Sequence, residues 1–117
     1  MPRKPNIAVI YFPGNNCEEE SLRAVLATGM EGKIVRWNER RDIEKYDGFI
    51  IPGGCGYEDR IRAGVIMAKD PVFDIIRKEA ENDKPVLGIC NGAQALVECG
   101  MIPGLKDNVE MALAPNK

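Results

Sequence analysis

The sequence contains no histidine. By itself, then, the chain cannot form a Ser-His-Asp or Cys-His pair, and it offers no imidazole to a metal ion. Its four cysteines, Cys17, Cys55, Cys90 and Cys99, include no Cys-x-x-Cys, and their wide spacings match no zinc pattern, so no metal is expected. Neither charge sign dominates: 16 basic residues stand against 18 acidic ones, a net charge of −2. Without a basic stripe, no nucleic-acid partner is expected. The basic start, Met1 to Asn6, has no apolar run of signal-peptide type behind it. The longest apolar stretches are strand-sized, which excludes a spanning helix and any membrane role built on one. Reduced thiols and a cytoplasmic location are the matching expectation.

What is present suits a globular protein. The 117 residues are 44% hydrophobic and 29% charged, one domain's worth of chain with enough apolar material for a core. Residues 1–117 are read as a single, partial domain with no internal repeat and no low-complexity segment.

Strand-like and helix-like segments alternate. Asn6 to Phe12 is a continuous apolar run rich in branched residues, the pattern of a strand covered on both faces. Pro13-Gly14 ends it. Asn16 is the expected cap of a helix, with Glu19 at the reciprocal position and Glu18 to Glu20 at the positive end of the helix dipole. Leu22, Val25 and Leu26 repeat at helical spacing up to Gly29. Lys33 to Trp37 reads as an edge strand because it carries polar residues. Asp47 to Pro52 is a third strand, followed by Gly53-Gly54. A short helix is expected around Ile61 to Ala68. Asp70-Pro71 opens another helix as cap and first-turn proline, with Val72, Phe73, Ile76 and Ala80 on its apolar face. Pro85 to Ile89 is a fourth strand, and Cys90-Asn91-Gly92 turns into a last helix carrying Ala93, Leu96 and Val97 and stopped by Gly100 and Pro103. This order predicts an α/β fold, a parallel sheet with helices on both faces.

In such sheets ligands bind beyond the carboxyl ends of the strands. Three glycine-bearing loops leave those ends: Pro13 to Cys17, Pro52 to Gly56, and Gly88 to Gly92. Gly88-x-Cys90-x-Gly92 has the spacing of a nucleophile elbow with Cys in place of Ser, a sharp turn that needs small neighbours on both sides. The thiol would stand at a helix N-terminus, where the dipole favours a negatively charged, attacking sulfur. The Asn91 amide would point at an oxyanion formed on a carbonyl attacked by Cys90. The plainer alternative is a small buried Cys between two turn glycines. Gly53-Gly54 reads either as a strand-ending turn or as a second source of backbone oxyanion donors. Cys99 reads as core. Cys17 and Cys55 read as structural by default, with a position facing the cleft of Cys90 as the alternative. Glu58 and Asp59 read as solvated loop residues, with site acids as the alternative.

These motifs in order resemble the glutaminase subunits of phosphoribosylformylglycinamidine synthase, within the class I glutamine amidotransferases. The residues that carry the resemblance are Phe12-Pro13-Gly14-Asn15-Asn16-Cys17, Tyr46-Asp47-Gly48, Pro52-Gly53-Gly54, Tyr57, Arg62-Ala63-Gly64, Gly88-Ile89-Cys90-Asn91-Gly92-Ala93-Gln94 and Gly100-Met101-Ile102-Pro103-Gly104. The resemblance implies a flavodoxin-like sheet. It implies that Cys90 attacks the side-chain amide of L-glutamine, gives a glutamyl thioester and releases ammonia. The ammonia would serve conversion of formylglycinamide ribotide to the amidine in purine biosynthesis, on a synthetase partner that binds ATP and magnesium. No cofactor is implied for this chain. By position, the amides of Gly54 and Asn91 match the family's oxyanion hole, and Gly53 and Gln94 match residues that hold the glutamine.

The sequence also departs from the family. The family's His and Glu lie in a carboxyl-terminal part that these residues do not match, so the chain corresponds to an amino-terminal half, expected to be inactive alone. Cys55-Gly56 stand where Phe-Ser is usual, and Glu58 where Gly is usual. The sheet edge where further strands belong would be exposed, which predicts self-association. Two other classes compete: a Cys-elbow protein similar to the DJ-1/PfpI superfamily, and a non-catalytic flavodoxin-like binding module.

Overall fold

The computed structural model describes residues 3–54, 64–102, 104 and 109–111. Strand β1 (Asn6–Tyr11) is followed by helix α1 (Glu18–Ala27), strand β2 (Glu31–Arg36), a single 3-10 turn at Ile43–Lys45 and strand β3 (Gly48–Ile51). Short helix α2 (Val65–Ala68), helix α3 (Val72–Glu81), strand β4 (Val86–Gly88) and helix α4 (Asn91–Glu98) complete the order. The strands form one sheet in the order β2-β1-β3-β4, and every pairing is parallel. That is the flavodoxin-like order, with β1 and β3 flanking the point where the winding reverses.

Alternation along β1 separates two apolar faces. Ala8, Ile10 and Phe12 join Phe49, Ile51, Val35, Val72, Phe73, Ile76, Ala95 and Leu96 in the main core. Ile7 and Val9 are buried too, on the opposite face. There α1 lies over β1 and β2, close enough that a side chain on Gly32 would strike Val25 at 2.9 Å. Burial on both faces explains the uninterrupted apolar run of β1. In the main core Phe12 and Phe73 stack with ring centroids 5.6 Å apart.

Some local expectations are corrected. Asn16 does not cap α1: Cys17 occupies the N-cap position without a side-chain cap bond. The Asn16 N–H reaches instead to the Gly53 carbonyl at 3.4 Å, and the Asn16 Oδ1 accepts from the Cys17 thiol at 3.1 Å. A tie to the neighbouring loop thus replaces the capping box. Leu26 is 52% exposed, because α1 sits over the β1–β2 side of the sheet and only Val25 and Ser21 of this helix are buried. Asp70-Pro71 opens α3, each residue one position earlier relative to the helix than expected: Pro71 holds the N-cap position, and the Asp70 carboxylate just before it accepts from the Val72 N–H at 2.9 Å. The expected short helix is present over its last residues, as α2; residues 61–63 lie outside the described ones.

At the other pole of the sheet the chain is latched. The Asp47 carboxylate accepts both guanidinium N–H groups of Arg3 at 2.7 Å and the Asn6 N–H at 2.8 Å. The Arg3 hydrogen bonds, and then the Asn6 amide, hold the carboxyl down to about 2 from its ordinary 3.8. A depressed folded-state value means that this stabilisation is complete above about pH 4 and is lost as pH falls toward 2. The melting temperatures of the wild type and Asp47→Asn, measured across that range, are therefore expected to differ most near neutral pH and to converge in acid. A difference independent of pH would show that the latch contributes no titrating stability.

β4 is the exposed edge. Leu87 is 55% and Ile89 43% exposed. β4 stands at one end of the sheet, with a neighbouring strand on one side only, among the described residues. Among the described residues, no helix is long and apolar enough to cross a membrane.

Candidate functional site

The site is assembled where β1, β3 and β4 end. After β1 the chain turns at once, with the Asn15 N–H donating to the Phe12 carbonyl at 3.0 Å. Asn15 then forms an isolated antiparallel bridge with Gly54, just past β3. Gly54 has φ +141°, and a side chain there would meet Asn15 Cα at 2.6 Å and Asn16 N at 2.8 Å. Only glycine lets the two loops lie this close.

The third loop carries Cys90. Its backbone sits at φ 54°, ψ −110°, in the N-cap position of α4. Such a conformation costs a non-glycine residue about 1–3 kcal/mol. The surroundings impose it. The Ile89 N–H is held by the Ile51 carbonyl at 3.0 Å, the Gly92 N–H by the Ile89 carbonyl at 2.9 Å, and the Gln94 N–H by the Cys90 carbonyl at 3.0 Å. Both flanking glycines are required by contact. A side chain on Gly88 would reach Ala93 N at 2.8 Å, and one on Gly92 would fall 1.9 Å from the Ile51 carbonyl oxygen. The sequence spacing thus appears in space as a strained strand-to-helix turn that presents an exposed thiol.

The loops converge on Gly53. A side chain there would meet Cys90 Cβ at 3.5 Å, the Ile89 carbonyl oxygen at 3.6 Å and Cys17 Sγ at 3.7 Å. Gly53, Gly54, Cys90 and Asn91 are therefore brought to one rim, and Cys17 joins them. Asn91 is 1% exposed, and its Nδ2 donates to Gln94 Oε1 at 3.0 Å. The Gln94 side chain is thus held along the first turn of α4. Cys99 is buried, its thiol donating to the Leu96 carbonyl at 3.4 Å, as its core assignment requires. Cys55, Gly56, Glu58 and Asp59 lie outside the described residues. Among the described residues, no group of three or more Cys, Asp or Glu side chains gathers as a metal site would.

Sequence reasoning missed Asn15. It is 7% exposed, yet neither its Nδ2 nor its Oδ1 has a hydrogen-bond partner. Glu18 Oε2 is likewise buried and unpartnered. An Asn after Pro-Gly reads as a solvated turn residue. Its burial comes from the non-local bridge to Gly54, for which the local sequence holds no signal.

Comparison with known proteins follows the same residues. The model of the CobB/CobQ-like glutamine amidotransferase domain matches residues 4–117. A phosphoribosylformylglycinamidine synthase subunit PurQ from Methanothrix thermoacetophila is 55% identical over 111 residues, covering 94% of this chain and 42% of the relative. The PurQ subunit from Pyrococcus furiosus is 46% identical over 110 residues, covering 94% of this chain and 45% of the relative. A chain in the structure of PurLQS from Thermotoga maritima superposes with a TM-score of 0.77 at 36% identity, covering 83% of this chain and 45% of that one. The chain thus spans less than half the length of the relatives it matches.

Proposed function

The chain belongs to the family of CobB/CobQ-like glutamine amidotransferase domains, and we propose that it carries the nucleophile of a glutaminase that feeds ammonia to a synthetase. One observation carries this reading: an exposed Cys90 on a strained elbow at the N-terminus of α4, facing the Gly53-Gly54 loop. In the proposed reaction the Cys90 sulfur attacks the side-chain amide carbon of L-glutamine. The carbonyl oxygen takes negative charge, met by the Gly54 and Asn91 N–H groups. The carbon–nitrogen bond breaks, ammonia leaves, and the glutamyl thioester is hydrolysed to glutamate. Gly53 shapes the wall beside the thiol, and Gln94 borders the bound glutamine. The family match favours this reading over a DJ-1/PfpI-like protein or a binding module.

The names of the relatives support a place in phosphoribosylformylglycinamidine synthesis. The partner would be a synthetase that holds ATP and magnesium and turns formylglycinamide ribotide into the amidine, in the cytoplasm. The histidine that the family uses as general base would come from outside these residues, which hold none. Loss of a base costs roughly 10²–10⁴ in rate. Ammonia release from L-glutamine by the 117-residue chain is therefore expected at least that far below the rate of a family-length glutaminase assayed beside it. Equal rates would place the base within this chain and overturn the division of labour.

The open β4 edge, with Leu87 and Ile89 in solvent, supports self-association as its second consequence. Sedimentation of the chain is expected to show dimers or larger species growing with concentration; a monodisperse monomer at high concentration would contradict this.

A further inference from the structure

The Gly53 contacts place two cysteine side chains, not one, at the rim. Cys90 Cβ and Cys17 Sγ lie 3.5 and 3.7 Å from the same point, the position a Gly53 side chain would fill. No side chain occupies it. Cys17 holds the N-cap position of α1 and Cys90 that of α4, so each sulfur stands at the positive end of a helix dipole. Cys90 is exposed and Cys17 half-buried, whereas Cys99 is buried with its thiol committed to a carbonyl.

We propose that Cys17 is the resolving thiol of Cys90: when peroxide oxidises Cys90, Cys17 captures it as a reversible Cys17–Cys90 disulfide. Hydrogen peroxide transfers one oxygen to the Cys90 sulfur, giving a sulfenic acid and water. The Cys17 sulfur then attacks the Cys90 sulfur. The sulfur–oxygen bond breaks, hydroxide leaves and takes up the Cys17 proton as water. Two thiols and one peroxide thus become one disulfide and two waters. The bond would stop Cys90 from acting as a nucleophile, spare it from irreversible sulfinic acid, and return it on reduction. The proposal needs only a reactive Cys90, so it stands or falls apart from glutamine hydrolysis.

The test uses the full chain carrying Cys55→Ser, which leaves Cys17, Cys90 and the buried Cys99. After equimolar hydrogen peroxide, peptide mass mapping without reductant is expected to show Cys17 linked to Cys90 within one chain, migrating as a monomer and reversed by dithiothreitol. With Cys17→Ser added and at least two equivalents of peroxide supplied, one for each oxygen gained, Cys90 is expected to proceed to sulfinic acid, which dithiothreitol does not reverse. Gly53→Ala meets only ordinary contacts and is expected to stay folded. Its methyl group would lie 3.5 Å from Cys90 Cβ and 3.7 Å from the Cys17 sulfur, crowding the space between the two side chains and slowing linkage several-fold. Circular dichroism checks the fold of each variant. Three results would overturn the proposal: over-oxidation of Cys90 at the same rate with and without Cys17, linkage only between separate chains, or linkage unaffected by Gly53→Ala.

Discussion

Gly92→Ala is expected to destabilise the chain by about 3 kcal/mol or more, because overpacking against a fixed backbone has no side chain to move aside. The new methyl would sit 1.9 Å from the Ile51 carbonyl oxygen and 2.6 Å from its carbon. That carbonyl also accepts the Ile89 N–H, so β3 cannot retreat without loosening the elbow. In a domain of this size the melting temperature should fall on the order of 10 °C or more. Gly53→Ala is the matched control. Its nearest contact is an ordinary 3.5 Å, and its cost should stay within about 1 kcal/mol. Urea unfolding of both variants checks the contrast. Equal, small losses would mean that α4 does not press on β3 as described.

Gly54→Ala tests the other half of the site. An alanine at φ +141° would be strained, and its methyl would lie 2.6 Å from Asn15 Cα. The bridge between the two loops should open, and the Gly54 N–H, proposed above as an oxyanion donor, should be displaced. Removal of one oxyanion donor typically costs about 10²–10³ in rate. Acylation of Cys90 by a glutamine-like electrophile that develops an oxyanion should slow by that order. Alkylation by iodoacetamide, which requires no oxyanion, should change only a few-fold. Parallel slowing of both reagents would point to general disruption, and no slowing of either would remove Gly54 from the oxyanion hole.

The sequence displays some of this site openly. The elbow was legible because its chemistry is local: Gly88, Cys90 and Gly92 fall within five residues, and the turn itself demands the small neighbours. β1 was legible because burial on both faces writes an unbroken apolar run. The start at Asp70-Pro71 was legible because the carboxylate that accepts from the first helical N–H and the proline that begins the helix are adjacent. The misreadings arose where distant loops compete with local preference. Asn16 looks like a cap, but its N–H serves the Gly53 carbonyl, 37 positions away in the chain. Asn15 looks solvated, but Gly54 buries it. An exposed edge was expected from the resemblance, and the strand order places β4, with Leu87 and Ile89 in solvent, at one end of the sheet.

The central claim is that Cys90 is a nucleophile in a glutamine-binding rim. The most direct measurement is covalent labelling of the whole chain with a glutamine-like electrophile, with and without excess L-glutamine, and location of the adducts by mass. Cys17, Cys55 and Cys99 serve as internal controls. A single adduct at Cys90 that glutamine suppresses is expected. Labelling spread over the exposed cysteines, or absent, and indifferent to glutamine would contradict it.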